Sequence, residues 1–181
     1  MTDTNFSSIE TVILDDADSA IVILDQTKLP GTCDIMHLHT QPEIHDAIYR
    51  LCVRGAPAIG ITAGMAYYLA AKEHIKADPT ITPDALTAAL KQDKAYMASS
   101  RPTAVNLFWA LDRMERVYLA NREQDNTEIL TLLRAECEEI KAEDMLSQIS
   151  VTLTPASCSS YAVRRAPCSS GLVSSAKTRK L

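Results

Sequence analysis

Two arginines stand immediately ahead of two apolar helical patterns. Arg54 opens "RGAPAIG" (54–60) and Arg101 lies in "SSRPTAVNL" (99–107), with Pro57 and Pro102 close behind them. A proline in the first turn of a helix sacrifices no hydrogen bond, because the N–H at that position has no intrahelical partner. Gly55 and Ala56 let a ligand come close to the backbone. The remaining N–H groups and the positive end of the helix dipole favour an anion at the same spot. A guanidinium adds two parallel N–H donors that match phosphate oxygens. Arg54, Gly55, Ala56 and Arg101 are therefore candidate phosphate contacts, with a phosphomonoester as guest. The competing account is that arginines beside helices are solvated or paired with a carboxylate. The residues alone leave both open.

Other chemistry-bearing groups carry weaker signals. His37 and His39 form a His-x-His that could hold a metal, but no acidic or thiol partner stands at ligand spacing, and strand histidines commonly face solvent. Cys52 could be a thiolate activated by Arg54, yet its place on an apolar stripe favours a buried, inert thiol. The charges from Asp112 to Glu123 read as a solvated helix face laced by (i, i+4) pairs. No metal or cofactor is expected.

These residues need elements to position them. Thr11–Leu14 and Ala20–Asp25 are short and rich in Val and Ile, and "DDADS" between them is turn chemistry, which predicts a hairpin. After the turn "LPGT", Cys33–His39 alternates as a third strand, with Ile35 and His37 on one face and Met36 and Leu38 on the other. From Gln41 the period becomes helical, with Ile44, Ile48, Leu51 and Cys52 on one stripe. Further helices are predicted at Pro57–Ile75, Pro83–Ala98 with Thr82 as N-cap, Thr103–Ala120 and Thr127–Gln148. Gly60 and Gly64, four apart, share a face and invite another backbone or side chain to approach. The expected fold class is α+β, a helical domain with a small antiparallel sheet.

A chain of 181 residues is long enough for one domain with a real core. Its formal charge of −5 argues against nucleic acid or an anionic membrane as main partner. Gly55–Ala71 is uncharged but short for a membrane span, and it carries Pro57, Gly60, Gly64 and the Tyr67-Tyr68 pair. Met1–Asp18 is polar and acidic, unlike a secretory signal, so the cytoplasm is expected. The five cysteines form no Cys-x-x-Cys pair and read as reduced thiols. Composition breaks near residue 150. Residues 1–150 hold all 23 acidic residues against 13 Lys and Arg, whereas 151–181 hold 5 Lys and Arg and no acid. The predicted domain is 1–148, and 149–181 is a serine-rich basic tail with little to bury.

The stretches "ILDQTKLPG" (23–31), "VRGAPAIGI" (53–61) and "SSRPTAVNLFWALDRM" (99–114), in this order, resemble the amino-terminal part of the methylthioribose-1-phosphate isomerase family. That family is related to the regulatory subunits of the translation-initiation guanine-nucleotide exchange factor. The resemblance covers about residues 10–148. It implies conversion of 5-methylthioribose 1-phosphate to the corresponding ribulose 1-phosphate in methionine salvage, with Arg54, Gly55, Ala56 and Arg101 contacting the substrate. It further implies a commonly dimeric protein whose second, Rossmann-like domain has no match here. Alternatives are a regulatory or binding module of the exchange-factor type, or an isomerase of another phosphorylated pentose.

The family's catalytic cysteine lies in a Thr-His-Cys-Asn-Ala-Gly stretch and its acid–base aspartate in a Gly-Ala-Asp. Neither stretch occurs in this sequence. Cys158, Cys168 and Asp144 lack those surroundings and are assigned no role. A frame change or truncation near residue 148 is the expected cause, and without both groups no isomerisation is expected.

Overall fold

The computed structural model describes residues 11–152, with side chains described for 11–143. The predicted tail, 149–181, starts inside the described backbone, since α5 continues through 149–152; Cys158 and Cys168 lie beyond the described backbone, and the Asp144 side chain beyond the described side chains.

Three short strands open the fold: β1 (Val12–Asp15), β2 (Ala20–Leu24) and β3 (Ile35–Leu38). They form one antiparallel sheet in the order β1-β2-β3. Val12 stands opposite Ile23, and Ile21 opposite Leu38. The period of two therefore sends Val12, Ile21, Ile23 and Leu38 to the buried face, and Ile13, Ile35 and His37 to the other. The turn between β1 and β2 is held by the Asp15 carboxylate, which accepts from the Asp18 N–H.

Five helices follow: α1 (Gln41–Tyr49), α2 (Ala56–Ala77), α3 (Pro83–Ser99), α4 (Val105–Asn121) and α5 (Asn126–Thr152). α2 is the central element, packed by α4, α5, α3, α1 and the sheet. That position explains its near-continuous apolar sequence, since its residues from Thr62 to Ala71 are all buried. Gly60 and Gly64 serve as expected. A Cβ on Gly60 would come 3.1 Å from the Asn106 carbonyl oxygen, and one on Gly64 would come 3.2 Å from Ile140 Cδ1. The first contact brings the opening turns of α2 and α4 together. No described helix is long and apolar enough to cross a membrane.

Two expectations are corrected. The apolar stripe from Gln41 was read as continuing to Cys52, but α1 stops at Tyr49 and Leu51 takes a left-handed backbone, φ 65°. Leu51 and Cys52 thus leave the helix, and the Cys52 carbonyl instead accepts from the Gln26 N–H. The charges of Asp112–Glu123 are not a self-contained solvated face. Lys94 of α3 donates to both Asp112 and Glu115, Arg113 pairs with Glu136 and Glu143 of α5, and Arg122 reaches Asp84. α4 is pinned on both sides by charges whose partners are distant in sequence.

Candidate phosphate site at two helix mouths

The four described helices whose starts are characterised divide into two kinds. α1 begins with a capping box, in which Thr40 accepts from the Glu43 N–H and Glu43 accepts from the Thr40 N–H. α3 begins with Thr82, whose hydroxyl accepts from the Ala85 N–H. α2 and α4 begin at Gly55 and Ala104, and neither residue supplies a side-chain cap. The first N–H groups of those helices are left for another acceptor. At α2 the first intrahelical donor is the Ile59 N–H, bonded to the Gly55 carbonyl, so Ala56 and Ala58 offer N–H groups at the mouth while Pro57 has none to lose.

Gly55 has φ 92° and ψ 138°, a conformation that any side chain would strain. Arg54 precedes it, exposed, with its Nε donating to the Leu51 carbonyl at 3.2 Å. The left-handed backbone of Leu51 belongs to the turn that places this carbonyl. The bond fixes the base of the guanidinium and leaves its two terminal nitrogens available. At the other mouth Arg101 is half-buried, and its carbonyl accepts from the Ala104 N–H at 3.0 Å. Upstream, Ser100 is buried with its hydroxyl bonded to the Met97 carbonyl, which anchors the segment.

Among the described residues, Arg50, Arg113, Arg122 and Arg134 pair with carboxylates, whereas Arg54 and Arg101 have no carboxylate within ion-pair distance. The structure brings the two uncapped starts together through the Gly60–Asn106 contact.

A cavity of about 300 Å³ opens one turn inside these mouths, lined by Pro57, Gly60 and Ile61 of α2, Val105 and Trp109 of α4, and Ile140 of α5. Asn106 and Glu143 complete the lining; Arg54, Gly55, Ala56 and Arg101 do not line it. The Arg113 guanidinium lies 5.3 Å from the Trp109 ring centre and holds Glu143 below the ordinary carboxylate range. Sequence reasoning missed this cavity. Residues of three separate helices make it, and no local pattern announces such a junction. Neither Gly55 nor Ala104 has a side chain able to accept a hydrogen bond, although the helix starts predicted at Pro57 and Thr103 did not place the caps there.

Cys52 is 1% exposed. Burial, then the nearby Asp25 charge, pushes its thiol above the ordinary range, so it is not an activated thiolate. His37 is exposed, and the His39 Nε2 lies 3.8 Å from the Asp18 carboxylate. Among the described residues no group of three or more His, Cys, Asp or Glu is placed to hold a metal.

Known proteins bear on this arrangement. A methylthioribose-1-phosphate isomerase of Symbiobacterium thermophilum is 52% identical over 136 residues, covering 75% of this chain and 37% of the relative. A 5-deoxyribose 1-phosphate isomerase of Clostridium botulinum (strain Langeland) is 42% identical over 131 residues, covering 72% of this chain and 36% of the relative. Among solved structures, 5-methylthioribose 1-phosphate isomerase from Pyrococcus horikoshii superposes with a TM-score of 0.66 at 30% identity, covering 74% of this chain and 36% of that one. Subunit delta of translation initiation factor eIF-2B from A. fulgidus also gives 0.66, at 33% identity, covering 76% and 38%. The chain thus spans little more than a third of the length of the relatives it matches. Residues 52–156, from just before Arg54 to beyond the end of α5, match the family described as Initiation factor 2 subunit family, and the chain belongs to that family.

Proposed function

We propose that this domain holds the phosphate of a sugar 1-phosphate between the mouths of α2 and α4, as the substrate-binding part of an aldose–ketose isomerase of methylthioribose-1-phosphate type. Arg54 and Arg101 supply the charge, and Gly55 and Ala56 supply close backbone and N–H groups. The observation that carries this reading is the coincidence of two uncapped helix starts with two arginines that no described carboxylate neutralises. Isomerisation moves hydrogen between C1 and C2 and requires a positioned acid and base. This sequence contains neither family motif that supplies them, so the chain by itself binds without turning over. In the complete fold we expect a homodimer acting in methionine salvage, in the cytoplasm, without a cofactor.

A second reading is a ligand-sensing module of the exchange-factor kind. It is favoured by the equal structural likeness to the eIF-2B delta subunit. Calorimetric titration of the 181-residue chain with 5-methylthioribose 1-phosphate, for the wild type and for Arg54→Ala and Arg101→Ala, tests the clamp. Each substitution removes a charged hydrogen bond and is expected to cost about 1.5–3 kcal/mol, roughly 10- to 150-fold in Kd. Unchanged affinity in both variants refutes it. Turnover by this chain would refute the assignment of catalysis to groups outside it.

A further inference from the structure

Asp25 is the one carboxylate buried among the described residues, 3% exposed, and neither the clamp nor the cavity beside it uses it. A carboxylate persists in such a place only where its oxygens are bonded. Its Oδ1 accepts from the Thr27 N–H at 3.0 Å and from the Thr27 hydroxyl at 2.6 Å. Lys28 Nζ stands 3.8 Å from Oδ2 but is engaged more closely by Asp34, at 2.6 Å. The remaining donor is the Cys52 thiol. The Thr27 hydrogen bonds, ahead of the opposing effect of burial, hold the carboxyl below its ordinary 3.8, so the group is ionised at neutral pH.

Cys52 is gripped twice from the loop that follows β2. Asp25 accepts from its thiol, and the next residue, Gln26, donates its N–H to the Cys52 carbonyl at 3.0 Å. From the other side Cys52 closes α1: its N–H donates to the Ala47 carbonyl at 2.9 Å, and the Leu51 N–H donates to the Ile48 carbonyl at 3.2 Å. These bonds are the closing pair of a Schellman end, in which a left-handed residue, most often glycine, follows the helix. Here that residue is Leu51, φ 65°. A leucine keeps this conformation only where its neighbours impose it. The Leu51 carbonyl is in turn the acceptor for Arg54 Nε at 3.2 Å.

We infer that Asp25 is a positioning residue of the phosphate clamp: through its hydrogen bond with Cys52 it holds Leu51 in the left-handed turn whose carbonyl aims the Arg54 guanidinium. This inference rests on the clamp proposed above. It also gives the buried Cys52 a task, as a hydrogen-bond donor and not as a thiolate. Asparagine cannot replace Asp25 in that task. With its amide oxygen on Thr27, its NH2 group would face the thiol and Lys28, which are donors themselves.

The test measures calorimetric binding of inorganic phosphate to the intact 181-residue chain, with urea unfolding of each variant so that affinities are compared among folded proteins. Asp25→Asn and Cys52→Ala are each expected to weaken phosphate binding about three- to tenfold, the worth of one hydrogen bond. Cys52→Ser keeps a donor and should bind within about twofold of the wild type. The effect must run through Arg54. Asp25→Asn should therefore add nothing in the Arg54→Ala background and keep its full effect in the Arg101→Ala background. The same two backgrounds are applied to Cys52→Ala, which leaves the carboxylate and the Gln26 bond in place and keeps the test decisive if Asp25→Asn does not fold. A purely structural Asp25 would lower the urea midpoint and leave the affinity of the folded chain unchanged. That result, or a loss undiminished beside Arg54→Ala, overturns the inference, while phosphate binding that depends on Arg54 and Arg101 leaves the clamp standing. Phosphate binding that is absent, or indifferent to both Arg54→Ala and Arg101→Ala, overturns the clamp and the inference together.

Discussion

Gly60 and Gly64 occupy the same face of α2 yet should respond oppositely to the same substitution. Replacing a mid-helix glycine by alanine favours the helix by about 1 kcal/mol. Against that gain stands what the new methyl meets. At Gly60 it meets the carbonyl oxygen of Asn106 at 3.1 Å, an atom of the first turn of α4 that cannot rotate away. Relief requires α4 to withdraw by a few tenths of an ångström, and overpacking of that kind costs about 1–3 kcal/mol. Gly60→Ala is therefore expected to be neutral to about 2 kcal/mol destabilising. At Gly64 the methyl meets Ile140 Cδ1 at 3.2 Å, the far end of a flexible side chain that can re-orient. Gly64→Ala should be neutral to about 1 kcal/mol stabilising. Urea denaturation at constant m-value measures both. Because Gly60→Ala also moves the mouth of α4 away from that of α2, it should weaken sugar-phosphate binding, whereas Gly64→Ala should not. If Gly60→Ala proves as stable as Gly64→Ala and binds with wild-type affinity, the α2–α4 contact does not set the spacing of the mouths.

Other consequences are more local. Native labelling with iodoacetamide followed by peptide mapping should modify the exposed Cys33 and spare Cys52 and Cys137, which burial both shields and holds protonated; early modification of Cys52 would restore the activated-thiolate reading. Asp16 accepts from Tyr68 and Lys72 and lies near Arg134, tying the β1–β2 turn to α2 and α5. Asp16→Asn should cost about 1–3 kcal/mol at neutral pH. Hydrogen bonds from Lys72 and Tyr68 hold this carboxyl below its ordinary 3.8, so its stabilisation is complete above that value and is lost as pH falls through the depressed one. The variant should accordingly lose less stability than the wild type on acidification below pH 3.8, and an identical acid slope would assign Asp16 no ionic role.

The elements were legible where local chemistry and tertiary demand agree. Thr82 capped α3 in sequence and caps it in space, and the period of two placed Leu38 and Met36 on the face opposite Ile35 and His37. The end of α1 was not legible. Ile44 and Ile48 are followed at helical spacing by Leu51 and Cys52, both apolar, so the period continues on paper although the helix has ended. No glycine or asparagine marks the left-handed residue, which is Leu51. Its conformation is imposed by the surroundings: Cys52 is buried and its carbonyl serves Gln26.

The candidate site follows the same division. Each arginine and its proline were visible locally, but the caps at Gly55 and Ala104 were not, because the helices were expected to start at Pro57 and Thr103. What no local pattern supplies is which cations are already neutralised. Arg113 finds Glu136 and Glu143 from another helix, Arg122 finds Asp84, and Arg134 finds Asp16 on the far side of the domain. Only after those pairs are formed do Arg54 and Arg101 stand out. Arg116, the other described arginine without a carboxylate, donates to the Asp112 carbonyl in the middle of α4, remote from any helix start. If the phosphate clamp proposed above is right, two unneutralised cations beside uncapped helix starts give a chain of net charge −5 a locally positive potential. Such a potential costs stability in the unliganded protein through repulsion between the guanidinium groups and the helix dipoles, and an anion reverses that cost on binding. The domain should therefore be stabilised by inorganic phosphate more than its affinity for other small ions predicts, and chloride at equal ionic strength should not substitute.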